Sequence, residues 1–244
     1  MQYAAYTHIG CVRDENQDRV IVHPYGECVL AAVFDGMGGE RAGEEASRIA
    51  EEEFLSHFNK SYREGMDSHA LRNLLISSVS AANSVIYTTA RMNYKNFGMG
   101  TTCVAAFVDK KCISVVNVGD SRAYYFSDGE LKQITTDHTV VNMLLENGRI
   151  SSAEIANHPQ RHMLTRAVGV EKTIRPDFFR IENISDNFSV LLCSDGLSGY
   201  CGNAELDHVL EQELSAEEKT NQLIELALDK GGRDNVSVAV IMQP

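Results

Sequence analysis

Four aspartates, far apart in the chain, each stand at the border between a predicted β-strand and a loop. Asp35 and Asp195 follow apolar runs, whereas Asp18 and Asp234 precede them. A carboxylate at the end of a buried strand is costly unless its charge is compensated. Several such carboxylates at one place would repel one another unless cations lay between them, and oxygen ligands of this kind suit Mg²⁺ or Mn²⁺. The pattern therefore predicts a fold that gathers four distant segments around a metal site.

The length and charge indicate one layered domain without a nucleic-acid partner. The chain has 244 residues, 43% of them hydrophobic, and a formal net charge of −12. This length suits a single layered unit, and no linker or internal repeat interrupts it, so we predict one domain over residues 1–244. Nucleic acids and anionic membranes need basic patches, and we expect neither as a partner. One compact acidic domain is also compatible with a monomer.

The cysteines and the N-terminal residues bear on the cellular compartment. None of the six cysteines forms a Cys-x-x-Cys pair, and four lie in or beside apolar runs. We interpret them as buried free thiols rather than disulfides or zinc ligands. No signal peptide is visible at the N-terminus, and no apolar run reaches membrane-spanning length. These features favour a cytoplasmic protein.

Hydrophobic periodicity predicts an α+β fold. Two helices, 42–58 and 67–92, each carry a single apolar stripe, which predicts that both cover a sheet. Tight turns such as 128–129 predict antiparallel hairpins, and strands in antiparallel sets with clustered helices indicate α+β layers. The first and last strands are expected to pair, and a segment of little periodicity, 151–168, is interpreted as a mobile insert. The predicted strands are 2–7, 19–23, 28–34, 101–108, 112–118, 123–126, 130–134, 178–181, 188–193 and 236–242.

The glycine-rich motif at 35–39 has two interpretations besides a metal site. Asp-Gly by itself is typical of a hairpin turn, but two further glycines follow it, whereas a hairpin needs only two such residues. The order of strand, glycines and helix also fits a dinucleotide-binding turn. That motif requires glycine at position 41, which is Arg41, and an acid would oppose a pyrophosphate, so we reject it.

Two further residues have alternatives that the sequence leaves open. Asp120 either binds a further metal or makes an Asx turn into the next hairpin. The guanidinium of Arg13 either grips a phosphate bidentately or forms an ion pair with Asp14 or Glu15.

Eight short motifs in a fixed order carry a resemblance to a known family. They are Arg13-x-x-Asn16-Gln17-Asp18, Asp35-Gly36-Met37-Gly38-Gly39, Gly100-Thr101-Thr102, Asn117-Val118-Gly119-Asp120-Ser121-Arg122, Asp137-His138, Leu164-Thr165-Arg166-Ala167-Val168-Gly169, Ser194-Asp195-Gly196-Leu197 and Asp234-Asn235-Val236. From near residue 2 to near residue 242, the sequence resembles the metal-dependent protein phosphatases of the 2C type in their compact bacterial form. The resemblance implies a four-layer α-β-β-α sandwich of two mainly antiparallel sheets flanked by helices, with the metals in a cleft at one end.

The resemblance also implies which residues hold two Mn²⁺ or Mg²⁺ ions. Asp35, Asp195 and Asp234 would hold one ion. Asp35 and the carbonyl of Gly36 would hold the other, on which Asp18 would act through water.

Other roles follow from the same resemblance. Asp120 with Asp195 would form a third, weaker cation site, and Arg13 would bind the substrate phosphate. Residues of about 139–170 match a flap beside the cleft.

The implied function is that of a metal-dependent serine/threonine phosphoprotein phosphatase. Two ions would lower the pKa of a shared water, and the metal-bridging hydroxide would attack phosphorus in line without a phosphoenzyme. The expected partners are phosphorylated proteins, namely the substrates of a serine/threonine kinase and the kinase itself. The alternatives are a weakly active phosphoprotein-binding regulator, disfavoured because no metal aspartate is missing, and a phosphatase of small phosphoesters.

Three positions depart from patterns of the family. Met37 stands where animal-type members carry a histidine, so the proton for the leaving group would come from water, His162 or His158. Glu40 and Gly199 replace a histidine and an acid that bacterial members often have, and these changes bear on the third site and on substrate preference.

Overall fold

Two antiparallel sheets face each other in the structure, a computed structural model that describes residues 1–39 and 42–243. The strands are β1 (Gln2–His8), β2 (Asp18–Tyr25), β3 (Cys28–Met37), β4 (Gly100–Thr101), β5 (Cys103–Val108), β6 (Cys112–Val118), β7 (Arg122–Ser127), β8 (Glu130–Gln133), β9 (Asp177–Glu182), β10 (Phe188–Cys193) and β11 (Val236–Gln243). The first sheet has the order β1-β11-β10-β7-β8 and the second β2-β3-β5-β6-β9, with β4 beside β3. Glu40, one of the departures from the family pattern, lies outside the described residues.

Helices cover the outer face of each sheet. They are α1 (Ala42–Ser61), α2 (Ser68–Met92), α3 (Val140–Glu146), α4 (Ser152–Ile155), α5 (Asp195–Ser198), α6 (Asn203–Glu211) and α7 (Ala216–Asp229). The apolar stripes of α1 and α2 pack on the second sheet, while α5, α6 and α7 pack on the first. Among the described residues, no helix is both long enough and apolar enough to cross a membrane.

Alternation along the strands separates the core into layers. In β3, Leu30 and Phe34 belong to the cluster formed with α1 and α2, whereas Ala31 and Val33 belong to the cluster between the sheets. Successive side chains of a strand point to opposite faces, so a strand buried on both sides is apolar throughout. The four-layer α+β fold expected from the sequence is confirmed.

The chain ends meet in the first sheet. β1 pairs antiparallel with β11, from Gln2 opposite Met242 to His8 opposite Val236, as the sequence predicted. The predicted hairpin between β7 and β8 is also present, because Asp128 and Gly129 both have positive φ, 54° and 73°, as a type I′ turn requires.

Several boundaries differ from the predictions for identifiable reasons. Asp35 lies inside β3 rather than at its end, because Gly36 and Met37 continue the ladder opposite β4. Asp195 is the first residue of α5 rather than part of a loop. The aperiodic segment 151–168 contains the short helix α4, which begins with a capping box at Ser151. Helix α6 was not predicted as a separate element, since its nine residues bury only a few apolar side chains.

Candidate active site

The site lies at one end of the space between the two sheets. Asp18 and Asp35 face each other across β2 and β3 of the second sheet, while Asp195 and Asp234 adjoin β10 and β11 of the first sheet. They meet at a cleft of about 980 Å³. The predicted site residues in its lining are Arg13, Asp35, Gly36, Asp120, His162, Asp195 and Asp234. The structure therefore brings together segments that are more than 200 residues apart, as Arg13 and Asp234 show.

Asp18 lies beneath the cleft rather than in its lining, with 1% of its surface exposed. Its Oδ2 accepts a hydrogen bond of 2.7 Å from the hydroxyl of Ser194, which in turn accepts one from the amide of Ser237. Its Oδ1 is buried without a hydrogen-bond partner. Burial raises the pKa of Asp18 to about 7, although the hydrogen bond from Ser194 opposes the shift.

Asp35 is held by its backbone, which leaves its carboxylate directed at the cleft. Its amide donates to the hydroxyl of Thr102 at 2.9 Å, and its carbonyl accepts from the amide of Thr102 at 2.8 Å. The same hydroxyl is 2.7 Å from that of Ser121. Burial, together with the nearby charges of Asp18 and Asp195, raises the pKa of Asp35 well above its usual value.

Gly36 is required by the close packing of three backbone segments. A Cβ at this position would lie 2.1 Å from the carbonyl oxygen of Gly43 and 2.6 Å from that of Gln17. The predicted approach of the Gly36 carbonyl to a metal would favour glycine for a second reason, since no side chain then stands in the way. The contacts show that the first turn of α1 and the segment before β2 already exclude a side chain here.

Arg13 and His162 are basic residues in the lining of the cleft. The guanidinium of Arg13 donates a 2.8 Å hydrogen bond to Oδ2 of Asp234, whereas the sequence had suggested Asp14 or Glu15 as an ionic partner. Nδ1 of His162 lies 3.9 Å from Oδ2 of Asp195, and 55% of the histidine side chain is exposed. The pKa of Asp195 is raised by burial and by Asp234, and His162 opposes that shift.

Asp120 occupies the turn between β6 and β7, at the edge of the same cleft. Burial and the charge of Asp195 raise its pKa to about 8. Asp120 lines the same cleft as Asp35, Asp195 and Asp234, and its role as a cation ligand stays a prediction.

Asn235 is the structural residue that sequence reasoning missed. Its Oδ1 accepts from the amide of Gln17 at 2.8 Å, and its Nδ2 donates to the carbonyls of Ile9 and Glu15, both at 2.9 Å. The side chain thus ties the Arg13–Asp18 segment to the start of β11. Its position directly after Asp234 was the available signal, but nothing local identifies the three distant partners.

The donor set fits hard divalent cations. In residues 1–39 and 42–243, no three His, Cys, Asp or Glu side chains are close enough to enclose an ion as they stand, and one oxygen of Asp234 is occupied by the guanidinium of Arg13. The chemistry of the donors nevertheless suits cations. All of the ligands are oxygen atoms, which hard divalent ions prefer. A bound cation would lower the raised pKa values of the aspartates and would give the unpartnered Oδ1 of Asp18 an opposite charge.

Comparisons with known proteins agree with the geometry. The sequence profile of the family described as protein phosphatase 2C matches residues 12–236. The chain is 34% identical to the serine/threonine phosphatase stp of Listeria welshimeri over 96% of this chain and 93% of that protein. It is 39% identical to the serine/threonine protein phosphatase PstP of Mycobacterium tuberculosis over 98% of this chain and 44% of that protein. The crystal structure of the serine/threonine phosphatase Stp1 from Staphylococcus aureus superposes with a TM-score of 0.91 at 36% identity, covering 100% of this chain and 95% of that one.

Proposed function

This chain belongs to the protein phosphatase 2C family, and we propose that its cleft hydrolyses phosphoserine and phosphothreonine in proteins. In this reaction the oxygen of water bonds to phosphorus, the ester P–O bond breaks, and the departing alkoxide takes up a proton. The observation that carries the proposal is the convergence of carboxylates from both sheets on one open cleft, with half-buried side chains in its lining and the buried Asp18 beneath them. The protein is therefore a metal-dependent hydrolase.

Six groups would hold the cations. Asp35, Asp195 and Asp234 are proposed for one ion and Asp35 with the Gly36 carbonyl for a second, with Asp18 beneath them. Asp120 and Asp195 are proposed for a third, weaker site. Bound Mn²⁺ or Mg²⁺ supplies an acidified water and offsets the negative charge on the phosphoryl oxygens.

Arg13 is proposed to bind the substrate phosphate. Its side chain is 55% exposed at the mouth of the cleft, so the guanidinium can exchange Asp234 for a phosphoryl group without leaving the site. A cation beside Asp234 would compete with Arg13 for that carboxylate, which frees its donors for the substrate. Two parallel N–H donors match the geometry of phosphate oxygens.

His162 is the proposed proton donor for the leaving group. Met37 lines the cleft but has no exchangeable proton, and His162 is half-exposed beside Asp195. The other option, His158, does not line the cleft. The imidazolium of His162 would give its proton to the departing serine or threonine oxygen.

The partners follow from the activity. Phosphorylated proteins are the substrate class, and we propose that they include targets of a serine/threonine kinase and the kinase itself. We further propose that the protein acts as a cytoplasmic monomer. A weakly active regulator is disfavoured because none of the proposed metal aspartates is missing from the sequence. A phosphatase of small phosphoesters is the alternative substrate class.

The test is turnover of matched phosphoserine, phosphothreonine and phosphotyrosine peptides with Mn²⁺. We expect hydrolysis of the first two and loss of activity in excess chelator. In Asp35→Asn we expect kcat to fall about 10²- to 10³-fold, the scale of losing a central electrostatic group. Turnover that survives full chelation would remove the metal from the mechanism. Faster hydrolysis of small aryl phosphates than of every peptide would favour the alternative substrate class.

A further inference from the structure

The turn that carries Asp120 is held by two hydrogen bonds to the preceding residue, Gly119. The amide of Gly119 donates to Nδ1 of His138 at 3.1 Å, and the carbonyl of Gly119 accepts from the amide of His138 at 2.9 Å. One residue therefore satisfies both backbone groups of Gly119. Because Gly119 has φ of +107° and a Cβ there would lie 2.6 Å from Thr102, the turn has little freedom to adopt another path.

The imidazole of His138 is oriented from its other side. His138 is only 4% exposed. Since Nδ1 accepts from Gly119, Nε2 carries the hydrogen and donates to Oδ2 of Asp177 at 3.1 Å. The other oxygen of Asp177 is held by Arg166 at 2.6 Å. Burial lowers the pKa of His138, which agrees with a neutral ring that accepts at one nitrogen and donates at the other.

The same histidine joins the turn to the base of the proposed flap. Its carbonyl accepts from the amide of Thr165 at 2.8 Å, and the next residue, Thr139, forms a β-bridge with Leu164. His138 therefore touches the Asp120 turn through its ring and the two ends of the segment 139–165 through its backbone.

We propose that His138 is a positioning residue for the weaker cation site: its ring fixes the Gly119 amide and, through it, the direction of the Asp120 carboxylate. The inference rests on the proposed role of Asp120 as a cation ligand. Groups that orient ligands typically change metal affinity by 10- to 100-fold when they are replaced.

Two substitutions separate the two nitrogens. In His138→Asn, the amide oxygen can take the place of Nδ1 and accept from Gly119, but the reach to Asp177 is lost. In His138→Gln, the longer amide can reach Asp177 but offers no acceptor at the position of Nδ1. The matched control is His57→Gln, because His57 is a half-buried histidine on α1 that forms a hydrogen bond with Ser77.

The measurement is calorimetric titration of the metal-free full chain with Mn²⁺, together with thermal unfolding in chelator. We expect Asp120→Asn to remove the weaker class of Mn²⁺ binding. His138→Gln should weaken that class at least about tenfold, while His138→Asn and His57→Gln stay within about threefold of the parent. The Kd of the tighter class of Mn²⁺ sites should be the same in all four variants as in the parent.

Three results would overturn the inference. They are parental Mn²⁺ binding in His138→Gln, equal losses in both His138 variants, and an unchanged weaker class in Asp120→Asn. If His138→Gln does not fold, His138→Ala also removes the acceptor for the Gly119 amide and should weaken the same class of Mn²⁺ binding at least about tenfold; parental Mn²⁺ binding in that variant would again refute the inference. Failure of the proposed function shows separately, as absence of tight Mn²⁺ binding in the parent.

Discussion

Asp18 shows how a single residue can favour cation binding over metal-free stability. Its carboxyl is buried, one oxygen has no hydrogen-bond partner, and the other depends on Ser194. An ionised carboxylate in that position is costly to keep from water. The residue therefore destabilises the metal-free fold and should stabilise the fold that holds cations.

Replacing Asp18 by asparagine should stabilise the metal-free protein at neutral and higher pH. The pKa of Asp18 in the fold is about 7, against an ordinary value of 3.8. Well below pH 3.8 the carboxyl is protonated whether the chain is folded or not, so its ionisation costs nothing. Between about pH 4 and 7 the unfolded chain ionises while the folded carboxyl keeps its proton, so the folded state loses stability as pH rises, and the loss is complete above about 7. In chelator, Asp18→Asn should exceed the parent by roughly 2–4 kcal/mol at pH 8 and by much less near pH 4, as measured by denaturant unfolding.

Asp186→Asn is the control for that experiment, because Asp186 is exposed and should show no such pH dependence. A metal-free Asp18→Asn protein less stable than the parent at pH 8 would mean that Asp18 bears no burial cost.

Arg13→Ala should raise KM for phosphopeptides more than it lowers kcat. A charge-assisted hydrogen bond contributes about 1.5–3 kcal/mol, which corresponds to about 10- to 150-fold in kcat/KM. Arg233→Ala is the matched control, since Arg233 is exposed on the Asp234 loop and does not line the cleft. An unchanged KM across several peptides would mean that Arg13 does not bind the substrate phosphate and serves only in the ion pair with Asp234.

At the scale of elements, the site depends on how closely β3 passes the start of α1. Gly36 and Gly43 approach each other through backbone atoms, and β4 pairs with the end of β3 to extend it beyond Asp35. The position of the Asp35 carboxylate is therefore set by packing between three elements rather than by a flexible loop.

Gly36→Ala should disrupt this packing, whereas Gly39→Ala should not. The Cβ of the first variant would lie 2.1 Å from a backbone oxygen, while nothing lies within 4 Å of the second. Because backbone cannot move as a side-chain end can, we expect a loss of about 3 kcal/mol or more in the first and less than about 0.5 kcal/mol in the second. Chemical denaturation in chelator measures both, and equal stability of the two variants would contradict the packing argument.

For the whole molecule, the cleft is a junction between two sheets that otherwise meet through apolar side chains. Asp18 and Asp35 come from one sheet, and Asp195 and Asp234 from the other. Their mutual repulsion opposes the packing of the sheets at this end, so cations should act as a link between them.

Mn²⁺ should therefore raise the melting temperature of the metal-stripped protein. At a concentration 100 times the Kd, binding adds about 2.7 kcal/mol per site, which corresponds to a shift of roughly 5–10 °C for a chain of this size. Differential scanning calorimetry with and without chelator measures the shift. Asp35→Asn should lose most of it, and an equal shift in that variant would place the cations elsewhere.

Local pattern was sufficient for the elements that alternate or carry one apolar stripe. The bounds of four elements were predicted to within a few residues, namely β3, α1, α2 and β11. Burial on one face or on both faces produces a recognisable pattern of apolar residues in the sequence. The extension of β3 past Asp35 and the start of α5 at Asp195 were not predicted, because both depend on a partner strand or helix supplied from elsewhere in the chain.

The amino-acid sequence alone determined the family, the layered α+β fold and the choice of aspartates as the functional groups, because motif order and hydrophobic periodicity are written along the chain. The tertiary structure decided which distant groups meet at the site: Ser194 with Asp18, Arg13 with Asp234 and Asn235 with the Gln17 amide. These partners are separated by 176 to 221 residues. No local preference encodes such a pairing, since it exists only once hydrophobic burial has brought the two sheets face to face.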